Sequence, residues 1–127
     1  MIALNDAVNI HKILIERFGG GEGIRDMALL ESAINRPFQT FDQEELYATT
    51  LEKAAAVIES IVLNHPFVDG NKRTGYVLMR MLLLEDGFDI EATQDEKYEF
   101  VLNIANGKSD NEAIKSWIRD KIIEPNT

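Results

Sequence analysis

The run His-Pro-Phe-Val-Asp-Gly-Asn-Lys-Arg-Thr-Gly at 65–75 places an imidazole, a carboxylate, an amide and two adjacent cations within nine positions, His65 to Arg73. An imidazole ordinarily titrates near neutral pH, so His65 is a candidate general base. Gly70 has no side chain and lets backbone come close to a ligand. If a helix starts there, the N–H groups of Asn71, Lys72 and Arg73 are free at its positive end and suit phosphate. Lys72 adds a mobile point charge, and Arg73 a planar fork for two phosphate oxygens. Asp69 would repel a bare phosphate, so its place makes sense if it holds a magnesium ion shared with the phosphates. Taken singly, each residue also has a structural reading. Asp-Gly-Asn is an ordinary turn, and a His before Pro often just ends a helix. Two cations in a first helical turn oppose the dipole and cost stability unless an anion sits there.

The pattern around this run is helical almost throughout. Ala7, Ile10, Leu14 and Phe18 recur at helical spacing until the Gly-rich run 19–23. Asp26 can cap a short helix carrying Leu29, Leu30, Ala33 and Ile34 that stops before Pro37. Three Ser/Thr-x-x-Glu boxes, at Thr49–Glu52, Thr93–Glu96 and Ser109–Glu112, each precede an apolar periodic run. The segment after the motif is apolar nearly all round from Val77 to Leu84 and stops at Gly87, which predicts the most buried helix, with the motif on rigid support at its N-terminus. Residues 37–48 have no sustained period and read as a loop or short hairpin, with Phe38 and Phe41 as possible plugs of the core. The expectation is an all-α bundle of about six helices with a small flap before the motif.

His-Pro-Phe-x-Asp-Gly-Asn-Lys-Arg resembles the signature of the Fic/Doc family. Fic proteins carry Gly where this chain has Lys72, and an Arg where it has Tyr76. The chain is therefore similar to the Doc, or death-on-curing, branch, while Pro66 and Gly70 are Fic-like. The segment Gly-Ile-Arg-Asp-Met-Ala-Leu-Leu-Glu-Ser-Ala at 23–33 also resembles the N-terminal part of Doc-type proteins. The resemblance implies a single Fic/Doc domain over 1–127. It implies an enzyme that uses ATP or another nucleoside triphosphate, with Mg2+, to modify a hydroxyl side chain of a target protein. His65 would take the hydroxyl proton, Asp69 would bind the metal, and Gly70, Asn71, Lys72 and Arg73 would hold the phosphates. Lys72 and the missing last Arg favour Doc-type phosphoryl transfer. Pro66 and Gly70 favour Fic-type adenylylation. A catalytically inert Fic-like binding module is the third reading, against which His65, Asp69, Asn71 and Arg73 are all present.

Biology follows from the same resemblance. The flap at 37–48 would align an extended segment of the target, and a separate antitoxin would hold the toxin inactive. The inhibitory Ser/Thr-x-x-x-Glu-Gly/Asn pattern of many Fic proteins has its nearest match at Thr40–Glu44, but Glu45 stands where Gly or Asn belongs. Inhibition is thus expected from another chain.

Composition narrows the alternatives. A net charge of −9 argues against a nucleic-acid-binding face, although Lys72, Arg73 and Arg80 together could reverse the field in one cleft. With no Cys there is neither a disulfide nor a zinc–thiolate site. No apolar run reaches membrane-span length and no secretory signal is visible, so a cytoplasmic location is expected. His11 has no second ligand at helical spacing and reads as a satisfied or surface histidine. Trp117 falls in register with Ala113 and Ile114 and reads as core. No nucleophile elbow or Walker A loop occurs.

Overall fold

The structure, a computed structural model, describes residues 1–125. Six helices carry the chain: α1 Leu4–Phe18, α2 Met27–Asn35, α3 Thr50–Asn64, α4 Asn71–Glu85, α5 Gln94–Ala105 and α6 Asn111–Lys121. Between α2 and α3 a 3-10 turn, Arg36–Phe38, leads into a two-residue hairpin of β1 Thr40–Phe41 and β2 Glu44–Glu45. A second small antiparallel pair joins β3 Asp89–Ile90 to β4 Ile122–Ile123, bringing the exit of α6 back beside α4. The helical periodicity did not announce that pair.

Local chemistry sets most boundaries. Asp26 accepts the Leu29 N–H and starts its helix as expected, while at Thr49–Glu52 only half of the expected box forms, Thr49 accepting the Glu52 N–H. Thr93 and Glu96 close a reciprocal box, in which Thr93 accepts the Glu96 N–H and Glu96 accepts the Thr93 N–H. The expected box at Ser109–Glu112 does not form. Asp110, one residue on, caps α6 by accepting the Ala113 N–H at 2.9 Å, and a charged oxygen suits the helix dipole better than the Ser109 hydroxyl.

The core centres on α3 and α4, the two helices in most extensive contact. Ala54, Ala55, Ala56, Val57 and Ile58 are all fully buried, so α3, and not α4, is the helix covered on nearly every side. The three alanines let neighbours close in all round. The α4 helix keeps a polar face with Lys72, Arg73 and Arg80, and its Leu84 is 45% exposed. Gly75 is a place of close approach between the two, since a Cβ there would lie 3.0 Å from Val62 Cγ2 and 3.4 Å from Ile61. Gly75→Val is expected to destabilise the fold by about 1–3 kcal/mol through overpacking, read as a lower urea midpoint at unchanged m-value. Phe100 stacks on Trp117 with ring centroids 3.8 Å apart, so Trp117 is a packing residue as its register suggested.

On α1 the buried stripe is Ala7–His11–Ile15, one position round from the expected one, and Phe18 is 55% exposed. A histidine thus occupies the inward face of the first helix.

The segment 37–48 is the expected hairpin. Asp42 and Gln43 both have positive φ, 52° and 68°, the conformation of a tight two-residue hairpin turn. Arg36 ties the hairpin base to α3. Its Nε donates to Tyr47 Oη at 2.8 Å, and its two terminal nitrogens reach Ser60 Oγ and Glu59 Oε1, each at 2.9 Å. Phe38 packs against the core, whereas Phe41 is 76% exposed and plugs nothing.

Candidate active site

The α3 helix ends on His65, which takes the left-handed conformation with φ 49° while its N–H bonds back to Ile61 O. Glycine is the residue for which that conformation is cheap. A five-residue loop, 66–70, then leads to α4, which starts from Gly70 at φ 76°. The expected helix start is therefore in place. Asn71 closes the loop on itself: its Oδ1 accepts the Phe67 N–H and its Nδ2 donates to Phe67 O, both at 3.0 Å. The Asn71 side chain is thus committed to the loop, and what it offers a ligand is its backbone N–H.

The stretch before α2 braces the loop from outside. Pro66 O accepts the N–H groups of Arg25 and Asp26, and Gly23 O accepts that of Val68. The Arg25 guanidinium donates to the carbonyls of Asn64 and His65, both at 2.6 Å, satisfying the last carbonyls of α3. The Gly-rich run expected only to stop α1 also bounds the site. Gly21 N–H donates to Asp69 Oδ2 at 3.1 Å, and a Cβ on Gly20 would sit 2.9 Å from the same oxygen.

The Asp69 carboxylate is exposed and held below its usual range by the N–H groups of Gly21 and then Gly70, with Lys72 adding charge. Each oxygen accepts one N–H, which leaves lone pairs on both. Among the described residues no group of three His, Cys, Asp or Glu converges as a metal cage. One anionic carboxylate with spare lone pairs fits a magnesium ion whose other ligands are phosphate oxygens and water.

The start of α4 differs from the other helix starts. It has no side-chain cap and no acidic residue in its first turn. The α2, α3, α5 and α6 helices each have a capping side chain, and α1 has Asp6 bonded to the Ala3 N–H. Lys72 and Arg73 are exposed here and make no ion pair among the described residues; the Arg73 guanidinium rests over the Phe18 ring, 4.1 Å from its centroid. His65 is exposed as well. His65, Asp69, Lys72 and Arg73 are thus open to solvent, while Phe67 and Asn71 are buried beneath them. Two grooves of about 520 and 330 Å3, lined in part by Glu96 and Lys121, lie along α5 and α6 and touch none of residues 65–73.

Arg80 does not join Lys72 and Arg73. It is about two turns further along α4, and its guanidinium holds both oxygens of Asp89 at 2.7 and 2.8 Å, which uses its charge locally. That pairing, with the Ile90 N–H, lowers the Asp89 pKa from 3.8 to about 2. A depressed carboxylate pKa stabilises the fold above the unfolded value and loses that stabilisation as pH falls through the folded value. Asp89→Asn is therefore expected to flatten the acid limb of the stability–pH curve between 3.8 and about 2, measured by urea titrations at fixed pH.

Tyr76 occupies the position three residues after Arg73. It is half-buried, burial pushes its hydroxyl up to about 12, and that hydroxyl has no partner among the described residues. A buried neutral phenol supplies no cation at the surface of the site.

Sequence reasoning located the motif but missed what holds it. His11 is 4% exposed, stacks on Phe67 with centroids 3.8 Å apart, and places Nε2 2.8 Å from Asp69 O. The signal was available as a polar residue in register with Ala7 and Ile15.

Comparison with known proteins places the chain among its relatives. The model of the Fic/DOC family matches residues 2–83, from α1 through most of α4. Toxin Doc of Mycolicibacterium smegmatis is 37% identical over 84 residues, 61% of this chain and 65% of that protein. Protein adenylyltransferase Fic of Drosophila melanogaster is 30% identical over 125 residues, 83% of this chain but 25% of that protein. Protein adenylyltransferase fic-1 of Caenorhabditis elegans is 32% identical over 68 residues, 51% of this chain and 13% of that protein. The chain spans just under two thirds of the Doc toxin and a quarter or less of the two adenylyltransferases. No helix among the described residues is long and apolar enough to cross a membrane. The matched region carries the whole His65–Arg73 motif, and the chain belongs to the Fic/DOC family.

Proposed function

We propose that this chain transfers the terminal phosphoryl group of a nucleoside triphosphate to a hydroxyl side chain of a target protein, as the toxin of a toxin–antitoxin pair. The observation that carries the reading is the first turn of α4: a helix start with no side-chain cap, no acid in its first turn and two cations that make no ion pair among the described residues, beside the exposed Asp69 carboxylate. Two cations at a helix start cost stability in the free protein, and a bound anion offsets that cost.

In this reading His65 removes the proton from the acceptor hydroxyl as its oxygen attacks the terminal phosphorus. The bond to the bridging oxygen breaks, and a nucleoside diphosphate leaves. Lys72, Arg73 and the backbone N–H groups of Asn71, Lys72 and Arg73 hold the phosphates and stabilise charge that grows in the transition state, with Gly70 letting the backbone come close. The Asn71 side chain keeps the loop in shape through Phe67. Asp69 would hold a magnesium ion that neutralises phosphate charge. The hairpin, with Phe41 exposed at its edge, is where a target segment would lie, and an antitoxin that folds on binding would cover the same apolar surface.

Adenylyl transfer is the second reading. It draws on the relatives named protein adenylyltransferases and on Fic-like Pro66 and Gly70. Lys72 and the buried phenol of Tyr76, where Fic proteins carry an arginine, weigh for phosphoryl transfer. The toxin role is tested by growth. Induced wild type is expected to arrest the host, His65→Ala to leave it growing, and the adjacent open reading frame to relieve the arrest. Arrest by soluble His65→Ala as well would replace this reading with that of a binding module.

A further inference from the structure

We propose that His11 is a positioning residue for the motif: its buried imidazole fixes the Asp69–Gly70 peptide and so sets how the Asp69 carboxylate and the first turn of α4 meet a nucleotide phosphate. The inference rests on the nucleotide-binding reading and deepens it.

A peptide unit is a rigid plane, so holding both of its ends fixes its orientation. At the carbonyl end, Asp69 O lies 2.8 Å from His11 Nε2. At the amide end, Gly70 N–H donates to Asp69 Oδ1, also at 2.8 Å. A carbonyl only accepts, so His11 must carry its proton on Nε2. The ring cannot drift, since it is 4% exposed and lies parallel to Phe67 at an interplanar angle of 4°. Ile15, one turn further along α1, packs beside it: a Cβ on Gly70 would lie 3.0 Å from Ile15 Cδ1 and 3.6 Å from His11 Nε2. The left-handed Gly70 that starts α4 is thus backed by two α1 side chains. Without the His11 donor the 69–70 plane can turn over, which swings the Gly70 N–H away from the Asp69 carboxylate.

Three measurements test this. In wild type with 15N-labelled histidine, NMR at neutral pH is expected to show His11 protonated at Nε2; a bare Nε2 overturns the proposal even if no variant folds. His11→Phe keeps a ring against Phe67 but has no donor, whereas His11→Gln keeps a donor. His11→Phe is expected to speed hydrogen exchange at the Gly70 amide about tenfold and to weaken calorimetric binding of magnesium adenylyl-imidodiphosphate about tenfold, while His11→Gln stays near wild type. Wild-type exchange and binding in folded His11→Phe overturn the proposal. So does a folded His11→Gln as impaired as His11→Phe, because a donor at that place would then not be what holds the site. Failure of wild type itself to bind the nucleotide refutes the nucleotide reading alone, and Gly70 exchange and the Nε2 proton still decide the role of His11.

Discussion

His65→Gly is expected to lower the transfer rate by about 100- to 10,000-fold, the usual contribution of a positioned general base, without weakening the fold. The stability half of this prediction follows from the backbone. His65 has φ 49°, a conformation that costs an L-residue about 1–2 kcal/mol and costs glycine none. Glycine gives back about 0.5–1 kcal/mol through the greater freedom of its unfolded chain. The net is a variant as stable as wild type or up to about 1.5 kcal/mol more stable, because the side chain it loses is exposed. The Arg25 bonds to the carbonyls of residues 64 and 65 do not involve the imidazole and survive. A strained histidine where glycine fits better is the pattern expected of a residue kept for chemistry. Single-turnover rates together with thermal unfolding check both halves, and a variant that is inactive because it is unfolded would refute the assignment.

Lys72→Ala and Arg73→Ala are each expected to cost about 100- to 1000-fold in kcat, as loss of one preorganised charge-stabilising group does elsewhere. Stability should move the other way for Lys72, since removing a cation from an uncapped helix start yields about 0.3–1 kcal/mol. Arg73 gains less, because its guanidinium rests on the Phe18 ring, a contact of about 0.5–1 kcal/mol at an exposed site. Arg73→Lys is not a conservative change here, since a point charge cannot grip two phosphate oxygens in a plane. It should recover only part of the rate. Equal losses of activity and stability in both alanine variants would mean that the cations serve the fold.

Much of this molecule was legible because its signals are local. Gly-rich 19–23, Asp26 and Thr93 are read from neighbours within a turn, and each does what local physics requires. The motif was legible for the same reason, since residues 65–73 lie on one loop and one helical turn. What the sequence concealed depends on contacts between distant segments. His11 meets Asp69 across 58 positions, and no periodicity encodes that meeting. Gly21 was read as punctuation, yet its N–H helps hold Asp69. Counting Arg80 with the phosphate-binding cations failed because Asp89, nine residues on, comes back alongside α4 through the β3–β4 pair. Reading α4 as the most buried helix failed because apolar composition was weighed above residue size, and the small Ala54–Ala56 run is what lets α3 be enclosed.

The most direct test of the central claim is the fate of label from ATP. Wild-type protein is incubated, with magnesium, in a soluble host extract with ATP labelled at either the α or the terminal phosphate, and His65→Gly is run in parallel. Label from the terminal phosphate, but not from the α phosphate, is expected on a serine, threonine or tyrosine of a target protein, with none in the His65→Gly lane. Label from the α phosphate would contradict phosphoryl transfer and establish adenylylation, and equal labelling by His65→Gly would contradict the active site itself.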